Sequence, residues 1–199
     1  MRIGIMGGTF NPIHTGHLML AEWAMEEAKL DRVLFIPTGN SYMKESNEIL
    51  ESAHRLAMAS IAVASNPCFD VSGMEIERGG NTYTCDTLKQ LHEEMPENDI
   101  FFIMGADCLF TIEKWKNPEQ IFKSCHLIAA ARNGSSIASM EAQKKKLEQR
   151  FGAKILLLQF PEIALSSTDI RNRMISGKSI RYLVPEGVRE YILENQLYR

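Results

Sequence analysis

Met1-Arg2-Ile3-Gly4-Ile5-Met6-Gly7-Gly8-Thr9-Phe10-Asn11-Pro12-Ile13-His14-Thr15-Gly16-His17-Leu18-Met19-Leu20 decides the fold. Ile3, Ile5 and Met6 read as a short buried strand, Gly7 and Gly8 as a tight turn, and Leu18 onward as a helix. Backbone N–H groups at such a turn, with the positive end of the helix dipole, form a seat for phosphate. His14 and His17 stand three residues apart at the mouth of the helix, so both can face that anion and donate to its oxygens. The glycine pattern is neither G-x-G-x-x-G nor the G-x-x-x-x-G-K-[ST] phosphate loop.

Outward from this stretch, Thr15 reads as an N-cap, and Leu18, Ala21, Met25 and Ala28 give one apolar face to a helix ending near Lys29. Val33 to Ile36 is a continuous apolar run closed by Pro37, which fits a strand covered on both sides. Strand, helix, strand predicts a parallel pair with a right-handed crossover and a ligand at the carboxyl end of the strands. Further strands are expected at 69–71, 100–104, 126–131 and 154–158, and helices at 49–65, 84–95 and 140–151. Gly73 to Thr82 reads as a loop and Gly105-Ala106-Asp107 as a turn. The expectation is a Rossmann-like, doubly wound parallel α/β sheet of five or six strands with helices on both faces. Residues 1–199 read as one domain, and 165–199 as a small helical C-terminal part whose second helix begins at Pro185.

Composition excludes several classes. The chain has 199 residues, 45% hydrophobic and 24% charged, which suits a folded domain with a substantial core. A net charge of −3 gives no basic footprint for nucleic acid. Lys144-Lys145-Lys146 reads as a solvated helix face, since Glu141 and Glu148 flank it. The four cysteines are widely separated, without zinc-like spacing, and read as reduced, packed thiols. With neither a signal sequence nor an apolar run long enough to span a membrane, the expected location is the cytoplasm. The sequence is compatible with a homo-oligomer but does not specify one.

The string from Gly7 to His17 resembles the H-x-G-H signature of the nucleotidylyltransferases, and within them the nicotinate-mononucleotide adenylyltransferases. Three other stretches carry the same resemblance. Leu165-Ser166-Ser167-Thr168-Asp169-Ile170-Arg171 is similar to the family's I-S-S-T-x-I-R motif, with Leu165 in place of Ile. The resemblance implies that Ser167, Thr168 and Arg171 hold the ATP phosphates from the side opposite His14 and His17. On the residues alone, Ser167 could equally be an N-cap and Arg171 a surface side chain. Ser72 to Leu88 resembles the family's S-x-x-E-x-x-R-x-G-x-x-Y-T-x-D-T-L segment, in which Tyr83 and Thr84 would receive the pyridine carboxylate at a helix start. Gly105, Asp107 and Trp115 match the family's G-A-D and downstream W, implying contact with the nucleotide sugar and stacking on the pyridine ring. His54-Arg55-Leu56-Ala57-Met58 and Arg181-Tyr182-Leu183-Val184-Pro185 also match. After Pro37 the family's Pro-Pro-His-Lys is replaced by Asn40-Ser41-Tyr42-Met43-Lys44, which keeps only the lysine.

The resemblance implies adenylyl transfer from ATP to nicotinate mononucleotide in NAD biosynthesis. Gly7, Gly8, Thr9, Phe10, His14, His17, Gly105, Asp107, Ser167, Thr168 and Arg171 would serve ATP, with His14, His17 and Arg171 catalytic. Lys44, Tyr83, Thr84 and Trp115 would serve the mononucleotide. Mg²⁺ would arrive on ATP, and no protein metal site is expected. Alternatives are a pantetheine-phosphate or nicotinamide-mononucleotide adenylyltransferase, which share much of this pattern, or a nucleotide sensor without turnover.

Overall fold

Alternation along the first strand sets the whole architecture. In the computed structural model, which describes residues 1–39, 49–130, 137–161 and 163–199, β1 (Arg2–Gly8) directs Ile3 and Ile5 to one side and Met6 to the other. The same alternation runs through β2 (Arg32–Pro37), β4 (Asp99–Gly105) and β5 (His126–Ala130). Phe101 and Ile103 join one buried cluster while Ile100, Phe102 and Met104 join the other. Strands with both faces covered need apolar residues at consecutive positions, which is why these segments read as unbroken hydrophobic runs. With β3 (Phe69–Val71) and β6 (Ile155–Leu158), six parallel strands lie in the order β3-β2-β1-β4-β5-β6.

Helices cover both faces. Against the cluster of Met6 and Phe35 lie α1 (Thr15–Glu27), α2 (Ser52–Val63), α8 (Ser167–Ile175) and α9 (Glu186–Glu194), through Ala21 and Ala24, Met58, Ile170, and Val188 and Ile192. Against the cluster of Ile5 and Phe102 lie α4 (Thr84–Glu94), α5 (Ala106–Thr111), α6 (Pro118–Ser124) and α7 (Ile137–Phe151), through Leu88, Leu109, Ile121 and Leu147. Each fully buried aliphatic or aromatic side chain in such a layer contributes roughly 1.5–3 kcal/mol. The expected doubly wound sheet of five or six strands is borne out with six, as is the helical C-terminal part.

The boundaries differ from expectation in places that matter for the site. Gly7 and Gly8 are not a turn: they continue β1, in register with Ile36 and Pro37 of β2. The chain turns instead through Thr9 to Ile13, with Phe10 at φ 48° and a cis Asn11–Pro12 peptide. Gly8 is small so that the Phe10 ring can fold back on it; a Cβ there would lie 3.0 Å from Phe10 Cε1. The 73–82 stretch holds a five-residue helix, α3 (Met74–Arg78), whose single turn is too short to show periodicity. Gly105-Ala106-Asp107 is the junction at which β4 passes directly into α5, a 3₁₀ turn at Ile112–Lys114 and then α6.

The strand pairing also opens the cleft. Between β1 and β4 it runs from Arg2–Asp99 to Ile5–Phe102 and stops before the end of either strand. Their outer neighbours stay paired as far as Gly8–Pro37 and Gly105–Ala130. The two central strands therefore part at the point where strand order reverses, the position at which open α/β sheets bind ligands. Among the described residues no helix is long and apolar enough to cross a membrane.

Candidate active site

Two adjoining cavities occupy that gap. The first, about 200 Å³, is lined by His14, Gly16 and His17, by Gly7 and Gly105 at the strand ends, and by Leu165 ahead of α8. The second, about 420 Å³, is lined by Gly8 and Thr9, by Tyr83 and Thr84 at the start of α4, and by Glu75 and Lys116. Gly7, Phe102, Cys108 and Trp115 belong to both walls. The result is a cleft of two chambers meeting over the ends of β1 and β4.

His14, rather than Thr15, is the N-cap of α1, and its backbone N–H donates to His17 Nδ1 at 3.2 Å. The two imidazoles stack with centroids 3.7 Å apart, and Phe10 meets His17 edge-on at 5.1 Å. His14 is buried and His17 half-buried, so the pair is fixed in place against the first chamber. Gly16 permits this: a Cβ there would stand 3.1 Å from His14 Nδ1. Thr15 instead ties the helix start to the C-terminal part, its backbone N–H donating to Leu183 O at 3.0 Å and its hydroxyl donating to the same carbonyl.

The turn from Thr9 to Pro12 is gripped from several elements. Arg55, only 2% exposed, donates to the carbonyls of Thr9 (2.9 Å), Leu50 (3.0 Å) and Gly39 (3.2 Å). Burial pulls its guanidinium below the ordinary value, while Tyr198 and Glu75 oppose that shift. Ser167 Oγ donates to Pro12 O at 2.8 Å and Arg171 Nη1 to Asn11 O at 3.0 Å. The Asn11 side-chain oxygen accepts from Leu50 N and from the Tyr198 hydroxyl. The N-cap of α8 is Ser166, which accepts from Asp169 N; Ser167 is the first helical residue, and its hydroxyl is thereby left for Pro12.

At the second chamber, Tyr83 is the N-cap of α4 and Thr84 its first residue. Lys116 sits over the Tyr83 ring, 4.0 Å from its centroid, and pairs with Asp86 at 3.1 Å. Trp115 packs edge-on against Phe102 with 6.2 Å between centroids and lines both cavities. Behind them, Thr87 donates to Glu75 Oε1 at 2.6 Å and accepts from Arg78 at 2.8 Å. Burial pushes the Glu75 carboxyl above the ordinary carboxylate range, against the pull of the Thr87 hydrogen bond.

The structure thus brings together Gly7, His14, His17, Gly105 and Trp115 at the first chamber and Gly7, Gly8, Thr9, Tyr83, Thr84 and Trp115 at the second. Phe10 packs beneath His17. Ser167 joins the histidine segment through Pro12. Thr168 and Arg171 line a separate depression with Leu50 and Tyr198, on the side of Asn11 that Arg171 grips. Asp107 lies exposed in the first turn of α5 and lines neither chamber. Lys44 lies outside the described residues. Sequence reasoning missed Lys116, whose only signal is its place between Trp115 and the Asn117-Pro118 helix start. The grip of Arg55 on Thr9 went unread too, because a matching arginine carries no sign of what it holds.

The Lys144–146 run is an external face of α7, where Lys144 approaches Glu148 at 3.9 Å and Lys146 approaches Glu113 at 2.6 Å. All four cysteines are free thiols, and burial pushes Cys125 up to about 12.

Known proteins resemble this chain in sequence and in fold. The Cytidylyltransferase-like family profile matches residues 5–173. The probable nicotinate-nucleotide adenylyltransferase of Lachnoclostridium phytofermentans is 43% identical over 197 residues, covering 99% of this chain and 98% of that protein. Its counterpart in Desulfitobacterium hafniense strain Y51 is 44% identical over 198 residues, covering 100% and 96%. In fold, the chain resembles the Plasmodium falciparum nicotinic acid mononucleotide adenylyltransferase complexed with NaAD, with a TM-score of 0.81 at 21% identity over 99% of this chain and 97% of that one. The chain therefore belongs to the Cytidylyltransferase-like family, and within it to the nicotinate-nucleotide adenylyltransferases.

Proposed function

We propose that the chain transfers the adenylyl group of ATP to nicotinate mononucleotide, giving nicotinate adenine dinucleotide and pyrophosphate. The observation that carries this reading is the pair of chambers with a common wall at the parting of β1 and β4. One presents two imidazoles and a helix N-terminus, which suit a polyphosphate. The other presents Trp115 beside the first turn of α4, which suits a flat ring bearing a carboxylate. A dinucleotide product would span both, as befits a family whose Plasmodium falciparum neighbour is complexed with NaAD.

In this reading a phosphate oxygen of the mononucleotide attacks the α-phosphorus of ATP, and the bond from that phosphorus to the α,β-bridging oxygen breaks. Its electron pair leaves with pyrophosphate. The second pKa of a phosphate monoester is about 6, so the nucleophile is already largely ionised near neutrality. No general base is needed. Catalysis consists of alignment and of donors aimed at the leaving charge. His14 and His17 supply those donors, Ser167 and Arg171 of α8 grip the turn that carries them through Pro12 and Asn11 and would join them on the same phosphates, and Gly7, Gly8 and Thr9 let substrate lie close to backbone. Thr168 and Lys44 add phosphate contacts, Tyr83, Thr84 and Trp115 hold the pyridine ring, and Gly105 and Asp107 serve the nucleotide sugar. Mg²⁺ enters with ATP, held by phosphate oxygens and water. Residues 1–199 act as one domain in which 165–199 completes the ATP side.

The test is pyrophosphate release from ATP and Mg²⁺ with nicotinate mononucleotide, its amide or phosphopantetheine in separate reactions. The reading expects the acid to be the best acceptor by kcat/KM; phosphopantetheine as best acceptor would overturn it.

A further inference from the structure

Two charged side chains line the second chamber, Glu75 and Lys116; neither was among the expected site residues, and Lys116 is the cation of the two. Its Nζ lies over the Tyr83 ring at 4.0 Å and 3.1 Å from Asp86 Oδ2, so two contacts with the start of α4 fix its position. Asp86 is the third residue of α4, in the same first turn as Thr84. A carboxylate in that turn opposes a second anion seated at the helix start, and an ammonium beside it offsets the opposition. The hydrogen bond to the Asp86 carboxylate also pushes Lys116 above its ordinary value.

We propose that Lys116 is a specificity-determining residue, its ammonium over Tyr83 tipping the second chamber toward an anionic ring substituent and away from a neutral amide. This rests on the reading of the second chamber as the pyridine site. Geometry favours it over an ordinary surface ion pair, since Lys116 lines the cavity together with Tyr83, Thr84 and Trp115. The neighbouring Trp115 stacks without regard to charge, so discrimination between acid and amide must come from dipoles and charges around it.

Because Lys116 and Asp86 carry opposite signs, their removal has opposite consequences. Lys116→Met leaves Asp86 unopposed and should lower the acid-to-amide preference by roughly fivefold, the upper range for a partly exposed ion pair. Asp86→Asn releases Lys116 and should raise the preference, and Lys116→Arg should keep it. The experiment measures kcat/KM with ATP and Mg²⁺, and Kd by calorimetry, for nicotinate and nicotinamide mononucleotides on all four proteins, with melting curves to verify folding. Support is an effect in KM and Kd of the acid, opposite in sign for the two variants and reduced by added salt. Equal change for both substrates in Lys116→Met, or an unchanged ratio, overturns the proposal. Failure of wild type to turn over either mononucleotide would instead sink the functional reading, and the Kd ratio still decides the role of Lys116.

Discussion

Ser167 Oγ donates to the carbonyl oxygen of Pro12 at 2.8 Å, joining the start of α8 to the turn that carries His14. The bond crosses 155 residues of sequence and connects the two motifs most suggestive of phosphate chemistry. A part-buried hydrogen bond of this kind is worth about 1 kcal/mol net. Ser167→Ala should therefore lower unfolding free energy in urea by about that amount and reduce turnover more than it weakens mononucleotide binding.

Gly16 separates structure from function cleanly. An added Cβ would press on the His14 ring at 3.1 Å, but Ala is the better helix former by about 1 kcal/mol. Gly16→Ala is expected to hold or raise the melting temperature while cutting pyrophosphate release. Full activity would show that the position of the His14 ring does not matter.

Arg55 holds three chain segments at once. Arg55→Met would retain the apolar stem and leave the carbonyls of Thr9, Leu50 and Gly39 without that donor. At roughly 1–3 kcal/mol for each buried group left unpaired, a loss of at least about 3 kcal/mol is expected in urea unfolding. Arg55→Lys should recover little of it, since an ammonium lacks the guanidinium fork.

Glu75 should imprint a pH dependence on stability. Burial raises its folded-state value above the ordinary 4.5, so the native chain holds this proton more tightly than the unfolded one. The contribution is fully present below pH 4.5 and is lost as pH rises through the raised value. Comparing urea midpoints of wild type and Glu75→Gln from acid to neutral pH should show wild type losing ground to the variant. Parallel profiles would contradict the shift.

The sheet was legible because its strands are covered on both faces and so appear as apolar runs such as Val33–Ile36 and Ile100–Met104. His14, His17, Tyr83 and Trp115 were legible as patterned residues, and they line the two chambers. Less legible was anything set by distant partners. The strand continues through Gly8 because β2 pairs with it as far as Pro37, which no local pattern records. Ser166 rather than Ser167 caps α8, and the Ser167 hydroxyl bonds the distant Pro12 carbonyl instead. Arg55 and Lys116 draw their roles from contacts across the fold, with Thr9 and Tyr83 respectively.

The His14–His17 segment and the Ser167–Arg171 segment are expected to act on the same triphosphate. A double-mutant cycle of His17→Ala and Arg171→Ala, read as kcat/KM for ATP, tests it most directly. Removing a single donor to a developing oxyanion costs about 10²–10³-fold, so each variant alone should lose on that order. The two losses should be strongly non-additive, the double variant falling little below the worse single one, as for groups acting as a unit. Losses that multiply fully would mean that the two segments serve separate tasks, and would contradict the account.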